Sequence, residues 1–365
     1  MKGFLQICFL CIAIPCFAQN PTESAVVSSD PIATRAGMEI LNQGGNAFDA
    51  AIAMTNALGV KSALSGTWLI HDVRASDSKY VVIQGNSSAH DYLAQKSALH
   101  KISPRLEKLN QVQESKPLIS QYEDIKIITA PNKSGLAVVM ALKILAGFEL
   151  NDLSDADLKH LIVESIRRVN CDVLNQESNN LEPTTLLSEN HIQKLRFSIK
   201  MNRATSTASL GCAMLSKAEP KSVNYSVLDE QGNQVAASLT ENSAFSAPIL
   251  FDMKEGVGSL GTSGAYKEPA VLVLSLLTAL DDYYPQTWML APRFTQGAMA
   301  DVIEFEKAFP VPLQNSLKLR GHQLREVHDF GDVQGIFWDK ENNKVYAASD
   351  LRGKGLALVK KVGKN

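Results

Sequence analysis

Beyond its first eighteen residues the chain has only two cysteines, Cys171 and Cys212; Cys8, Cys11 and Cys16 precede them. Two thiols do not make a disulfide framework, which excludes a small stapled scaffold. One bridge between them and two separately buried thiols are both compatible with the sequence. No cysteine/histidine cluster has metal-ligand spacing, and the seven histidines are scattered, so the reading includes no metal and no cofactor. Excess charge is lacking too. The net charge is −2, with no basic stripe interleaved with aromatics, which excludes nucleic acid as a partner. No apolar run reaches the ~20 residues that a membrane span needs. What is present is ordinary globular material, 45% hydrophobic and 20% charged over 365 residues, enough for one large core or two modest ones.

The first residues stand apart. Lys2 gives a positive start, Phe4–Phe17 is nearly all apolar, and Cys16 and Ala18 are small residues at the −3 and −1 sites of a cut after Ala18. Residues 1–18 are expected to be a secretory signal peptide. Fourteen apolar residues are short for an anchor, and Ile14-Pro15 is a poor lead-in to a lipoprotein cysteine at Cys16. The mature chain is expected to be exported, periplasmic or extracellular, with no membrane span after signal removal.

Along the rest of the chain, Ala25–Val27 reads as a strand. Asp30-Pro31 opens a helix, because Asp caps and Pro suits the first turn. Ile32, Ala36 and Ile40 fall on one face of it, with Ala33, Gly37 and Leu41 beside them, and Gly44-Gly45 stops it. Ala47–Leu58 is a second helix. Trp68–Val73 and Tyr80–Gln84 read as strands, residues 86–122 as an irregular connection, and Ile125–Thr129 as a strand. Ser134–Leu145, Asp155–Arg168 and Ser188–Met201 read as helices, and 203–221 as an exposed Ser/Ala/Thr/Lys loop. Tyr225–Leu228 and Val235–Thr240 flank a turn signal and predict a hairpin. Pro269–Leu280 is an apolar helix, and four more strands follow at Val302–Phe305, Gln323–Val327, Gly335–Trp338 and Val345–Ala348. This order predicts an α+β layered sandwich.

Several segments together carry a resemblance. Ala25–Val60 reads AVVSSDPIATRAGMEILNQGGNAFDAAIAMTNALGV; Ile128–Leu150 has a Pro-containing turn before a helix; and Asn224–Asn242, Gly258–Ser263, Ala291–Phe294 and Ala348–Arg352 follow in order. In this series the chain resembles the γ-glutamyltranspeptidase family, in shortened form. The resemblance implies a four-layer αββα sandwich of the N-terminal-nucleophile hydrolase type. It also implies a self-cleaving precursor that yields a heterodimer of fragments. The large-subunit-like part would be 19–221 and the small-subunit-like part 222–365, in one composite domain. The expected partner is a small γ-glutamyl compound or peptide.

The resemblance also assigns residues. The family's nucleophile opens Thr-Thr-His-Tyr-Ser, and Ser222-Val223-Asn224-Tyr225-Ser226 aligns with it, so Ser222 takes the nucleophile position and Lys221-Ser222 the cut. Taken alone, Ser222 is a loop serine. Thr240 and Asn242 match the family's Thr-x-Asn, which supports the nucleophile and contacts substrate; otherwise they are a strand-end Thr and a turn Asn. Gly258–Ser263 resembles the turn that donates backbone N–H groups to the oxyanion, so Gly261 and Thr262 are assigned there, with Thr262 in place of a glycine where positive φ would strain it. A plain helix-entry turn is the competing explanation. The arginine that clamps the substrate α-carboxylate aligns with Asn86, which supplies neither charge nor a two-pronged donor. The family's Ser-Ser-Met turn and Asn-Gln-Met-Asp-Asp segment are missing between Phe251 and Gly258. Two functions therefore compete: a γ-glutamyl hydrolase/transferase of reduced or lost activity, and a non-catalytic binding or structural relative.

Overall fold

The computed structural model describes residues 19–58, 65–75, 79–99, 114–175, 182–212, 222–240, 247–297 and 301–361. The strands are β1 (Glu23–Ser28), β2 (Ser65–Asp72), β3 (Lys79–Gln84), β4 (Leu118–Tyr122), β5 (Ile125–Thr129), β6 (Ser222–Leu228), β7 (Gln234–Thr240), β8 (Ile249–Met253), β9 (Gly256–Gly261), β10 (Phe294–Gln296), β11 (Val302–Glu306), β12 (Gln323–Val327), β13 (Gln334–Asp339), β14 (Lys344–Ser349) and β15 (Leu356–Lys361). The helices are α1 (Pro31–Asn42), α2 (Ala47–Ala57), α3 (Asn86–Gln95), α4 (Lys133–Leu145), α5 (Asp155–Asn175), α6 (Pro183–Leu186), α7 (Glu189–Ser198), α8 (Thr207–Leu210), α9 (Glu268–Asp281), α10 (Pro285–Trp288) and α11 (Val311–Leu319).

Two six-stranded sheets dominate. The first has the order β15-β1-β6-β7-β2-β3 and the second β14-β13-β9-β8-β5-β4. Neighbouring strands within each are antiparallel. A three-stranded sheet, β10-β11-β12, stands apart. The fold is thus α+β, as the order of strands and helices predicted, and its main sheets are antiparallel.

Period-two alternation divides each strand between two environments. From the first sheet, Val26, Trp68, Ile70, Tyr225, Val227 and Ala237 pack with Phe48, Ile52 and Met54 of α2. From the second, Ile127, Ile249, Phe251 and Phe337 pack with residues of α4, α5 and α9. The opposite faces meet each other. Ala25, Val27 and Leu228 of the first sheet pack on Val257, Ile336, Trp338 and Val345 of the second. A second inter-sheet cluster joins Leu69, Val82 and Ala236 to Ile128, Ala130 and Leu250. Each large side chain so buried contributes about 1.5–3 kcal/mol before entropy is set against it.

Local expectations hold in kind and shift in detail. Asp30 caps α1, accepting from the Ile32 and Ala33 amides. The inward face of α1 is Ala33, Thr34, Gly37, Met38 and Leu41, whereas Ile32 is 65% exposed. Ala33, Gly37 and Leu41 of the expected stripe are thus its buried part, and Gly37 lets α1 approach Met54 so closely that a Cβ there would lie 2.8 Å from its Cγ. The expected irregular connection 86–122 contains α3 and β4. The expected exposed loop 203–221 is anchored where it is described: α8 lies in it and Thr207 is buried. Cys171 and Cys212 form a disulfide with Cα atoms 5.1 Å apart, which resolves the alternative that the sequence left open.

Candidate active site

The hairpin β6–β7 sets the geometry. Its turn is organised by Asp229, whose carboxylate accepts from the amides of Gln231 and Asn233, from the Asn233 side chain, and from the Ala47 amide at the start of α2. Burial pushes the Asp229 carboxyl up, and these donors oppose that shift. The turn fixes the register, and register decides which face each side chain meets. Tyr225 points to the helices. Its hydroxyl accepts from Trp68 Nε1 at 2.7 Å, lies 2.8 Å from Thr55 Oγ1 and donates to the Ala51 carbonyl. Ser222, Asn224 and Ser226, of the opposite parity, face the second sheet.

This register brings predicted residues together. Ser222 opens β6 directly opposite Thr240, and Thr240 is opposite Ser65 on β2. The next inward-facing row is Asn224, Ser238 and Thr67, all buried. Asn86 begins α3 just past the end of β3, where Gly85 (φ +88°) turns the chain and its amide donates to the Gly66 carbonyl at 3.0 Å. Asn86 therefore lies at the same end of the sheet as Ser65, three strand spacings from Ser222, or roughly 14 Å. Asn242 and Lys221 lie outside the described residues.

Gly261 belongs to the facing sheet, as the last residue of β9 and opposite Gln334. It lies against Asn224: a Cβ on Gly261 would come within 3.3 Å of Asn224 Cβ. The expected turn at Gly258–Ser263 is therefore mostly strand, with the bend beginning at Thr262. Gly258 is required there because a Cβ would meet the Phe251 ring at 2.2 Å. Thr262 is buried and its hydroxyl donates to the Ser263 carbonyl. The expected strain at Thr262 is not found. Positive φ in this bend falls on Gly264, at +137°, and the only non-glycine residues with positive φ among those described are Glu123 and Asn343.

Behind the bend lies an ion network that sequence reading passed over. The Ser263 hydroxyl donates to Asp332. Arg293 donates to the Phe330 and Gly331 carbonyls and pairs with Asp350. Arg352 spans both Glu306 oxygens, 2.6 Å to each, and reaches Asp350. Ala291–Phe294 and Ala348–Arg352 had marked these positions only as motif landmarks. A surface cavity of about 380 Å³ opens on the network's outer side, lined by Met289, Leu290, Ala308, Asp350, Leu351 and Arg352. Glu268, at the start of α9, was also missed. It accepts from the Ala247 amide and the Ser134 hydroxyl, and burial pushes its carboxyl up to about 7.

Chemically, the described part of the centre offers a hydroxyl at a strand start, a second hydroxyl beside it and a facing glycine backbone. Among the described residues, no group of three or more His, Cys, Asp or Glu could hold a metal ion. No described helix is long and apolar enough to cross a membrane.

Comparison with known proteins adds the family. The model described as gamma-glutamyltranspeptidase matches residues 108–252 and 243–359. Among solved structures, cephalosporin acylase from Bacillus halodurans is similar, with a TM-score of 0.75 at 16% identity over 96% of this chain and 99% of that one. The structure of LmbA2991HD is similar with a TM-score of 0.73 at 13% identity, over 94% of this chain and 99% of that one. No curated protein matches the sequence.

Proposed function

Because the chain belongs to the γ-glutamyltranspeptidase family, we propose that it is an exported amide hydrolase or acyl transferase of the N-terminal-nucleophile type, with Ser222 as nucleophile. On this reading the two facing sheets and their flanking helices are a four-layer αββα sandwich. Residues 1–18 direct export, and the mature precursor 19–365 cuts itself between Lys221 and Ser222. The observation that supports it most is the row in which Ser222 opens β6 opposite Thr240, one inward-facing position beyond Asn224, which lies against Gly261.

The chemistry follows from that placement. Ser222 Oγ adds to the Lys221 carbonyl; the peptide becomes an ester, and water hydrolyses it. The freed Ser222 amine, with a pKa near ~7.7, serves as base at neutral pH. In turnover Oγ attacks a substrate amide, the leaving amine departs, and the acyl ester passes to water or to an amine. Thr240 supports Oγ, the backbone from Gly261 through Thr262 faces the developing oxyanion, and Asn242 and Asn86 contact substrate.

Asn86 limits the substrate. Losing a charge-paired contact costs about 2–5 kcal/mol, so γ-glutamyl compounds with a free α-carboxylate are poor substrates and acyl groups lacking that charge are preferred. The same residue favours a second reading, a non-catalytic relative that keeps the frame for binding. Purified mature protein separates the two by gel, N-terminal sequencing and release of the amine from γ-glutamyl and neutral acyl anilides, with Ser222→Ala as control.

A further inference from the structure

One end of the layer between the two sheets is polar where the remainder is apolar. In the first sheet Asn224, Ser238 and Thr67 form one cross-strand row, and Ser226 follows Asn224 along β6. In the second, Ser349, Gln334 and Gly261 form another. Strand parity turns both rows inward, because their neighbours two or four residues along, Leu69, Leu228, Ile336 and Trp338, fill the inter-sheet clusters. Asn224, at 1% exposure, touches Gly261.

Six side-chain atoms here are buried with no hydrogen-bond partner: Thr67 Oγ1, Asn224 Nδ2 and Oδ1, Ser226 Oγ, Gln334 Oε1 and Ser349 Oγ. Native proteins rarely leave one such atom unpaired. A group of them, gathered at one end of the layer and donors and acceptors alike, marks space that is filled by something polar. Apolar ligands would leave every one unsatisfied, and a charged ligand would find no opposite charge among these residues. Water fits: it donates and accepts, and a buried water makes about three hydrogen bonds.

We infer that this end of the inter-sheet layer is an internal hydration site, holding ordered water on Asn224, Thr67, Ser226, Gln334 and Ser349. Ser222 stands one inward-facing position beyond Asn224 on the same strand, so the site lies directly beneath it. The water it holds hydrolyses the Ser222 acyl ester from within. The water oxygen bonds to the acyl carbon, the bond from that carbon to Oγ breaks, and the water's proton passes through the Ser222 amine to Oγ. This second step rests on the proposed function; the hydration does not.

A high-resolution crystal structure of the mature protein tests occupancy. Ordered water within hydrogen-bonding distance of the Asn224 carboxamide and Gln334 Oε1 is expected; a dry layer, or protein groups satisfying those atoms, overturns the site. Its role is read from the ratio of hydrolysis to transfer in the presence of an amine acceptor. Asn224→Leu is expected to lower that ratio about tenfold while the acylation burst is unchanged. Thr67→Val, which keeps shape and removes one hydroxyl, should shift it in the same direction and serves if Asn224→Leu does not fold. An unchanged ratio in a folded variant overturns the supply role. If no acyl-enzyme forms in the unsubstituted protein, the proposed function fails, and with it the supply role, while the crystallographic result still decides hydration.

Discussion

His160 Nδ1 lies 2.7 Å from His322 Nε2, and His160 Nε2 lies 2.9 Å from the Lys200 carbonyl. A carbonyl only accepts, so His160 carries its proton on Nε2 and its Nδ1 accepts from His322 Nε2–H. His322 Nδ1 is then a bare lone pair, and it is buried without a partner. Both rings are neutral. Burial lowers each pKa, that of His322 to about 4; Arg320 acts in the same direction on both rings and Arg167 on His322, with Glu164 opposing.

The pair makes stability depend on pH. With the folded pKa below the unfolded one, the unfolded chain binds more protons between pH ~4 and ~6.5, so stability rises with pH across that window. The contribution of His322 is complete above the unfolded pKa and is lost as pH falls toward 4, by about 3 kcal/mol. Glu268 titrates with the opposite sign over an overlapping range, because its folded pKa is raised. The test is therefore a difference. The urea midpoint at pH 7 minus that at pH 4.5, taken with its sign, should be lower in His322→Gln, which keeps a donor toward His160, than in the unsubstituted protein. Equal differences would mean that His322 does not titrate as described.

Glu164 is fully buried between two arginines of its own helix. Arg168 reaches it at 2.7 Å and Arg167 at 3.2 Å, and the Thr205 amide donates to it. Arg168 also holds the Ser198 carbonyl and the Thr205 hydroxyl, which ties residues 198–205 to α5. Glu164→Gln removes the carboxylate from buried Arg168, while Arg167 keeps Asp301 at 2.8 Å, and should destabilise the fold by about 3–5 kcal/mol. Exposed Glu189→Gln should cost under ~0.5 kcal/mol. Chemical denaturation of both variants checks the contrast.

The Cys171–Cys212 bridge spans 41 residues of sequence. Closing a loop of that length restricts the unfolded chain by about 4 kcal/mol on the chain-entropy model. Cys171→Ser with Cys212→Ser should lower the denaturation midpoint and make it insensitive to reductant. A midpoint that still falls on reduction in the double variant would place the redox effect elsewhere.

Much of the frame was legible because its signals are local. β-branched runs marked β1, β5 and β11, the turn at Asp229–Asn233 marked the β6–β7 hairpin, and Asp30-Pro31 marked the start of α1. Where packing decides, sequence reading failed. The resemblance makes Gly258–Ser263 a turn, and GVGSLG has poor strand propensity, yet β9 forms there: Gly258 is demanded by the Phe251 ring and Gly256 by the Trp338 carbonyl and the Phe337 ring. The hairpin that sets Ser222 opposite Thr240 was legible, but joining Ser65 to that row depends on pairing β2 with β7, strands far apart in the sequence, which no periodicity reveals. The resemblance led to Ser222 and Thr240 as candidates. It gave no sign of the unpaired Asn224 carboxamide or of the Arg293–Asp350 network, since each depends on partners brought in by distant segments.

N-terminal sequencing of the purified mature protein, beside Ser222→Ala, tests the nucleophile most directly. Two fragments are predicted, the smaller beginning at Ser222, with the variant left as one chain. A single uncut chain that releases no amine from γ-glutamyl or neutral acyl anilides, or a cut that persists unchanged in Ser222→Ala, would contradict it.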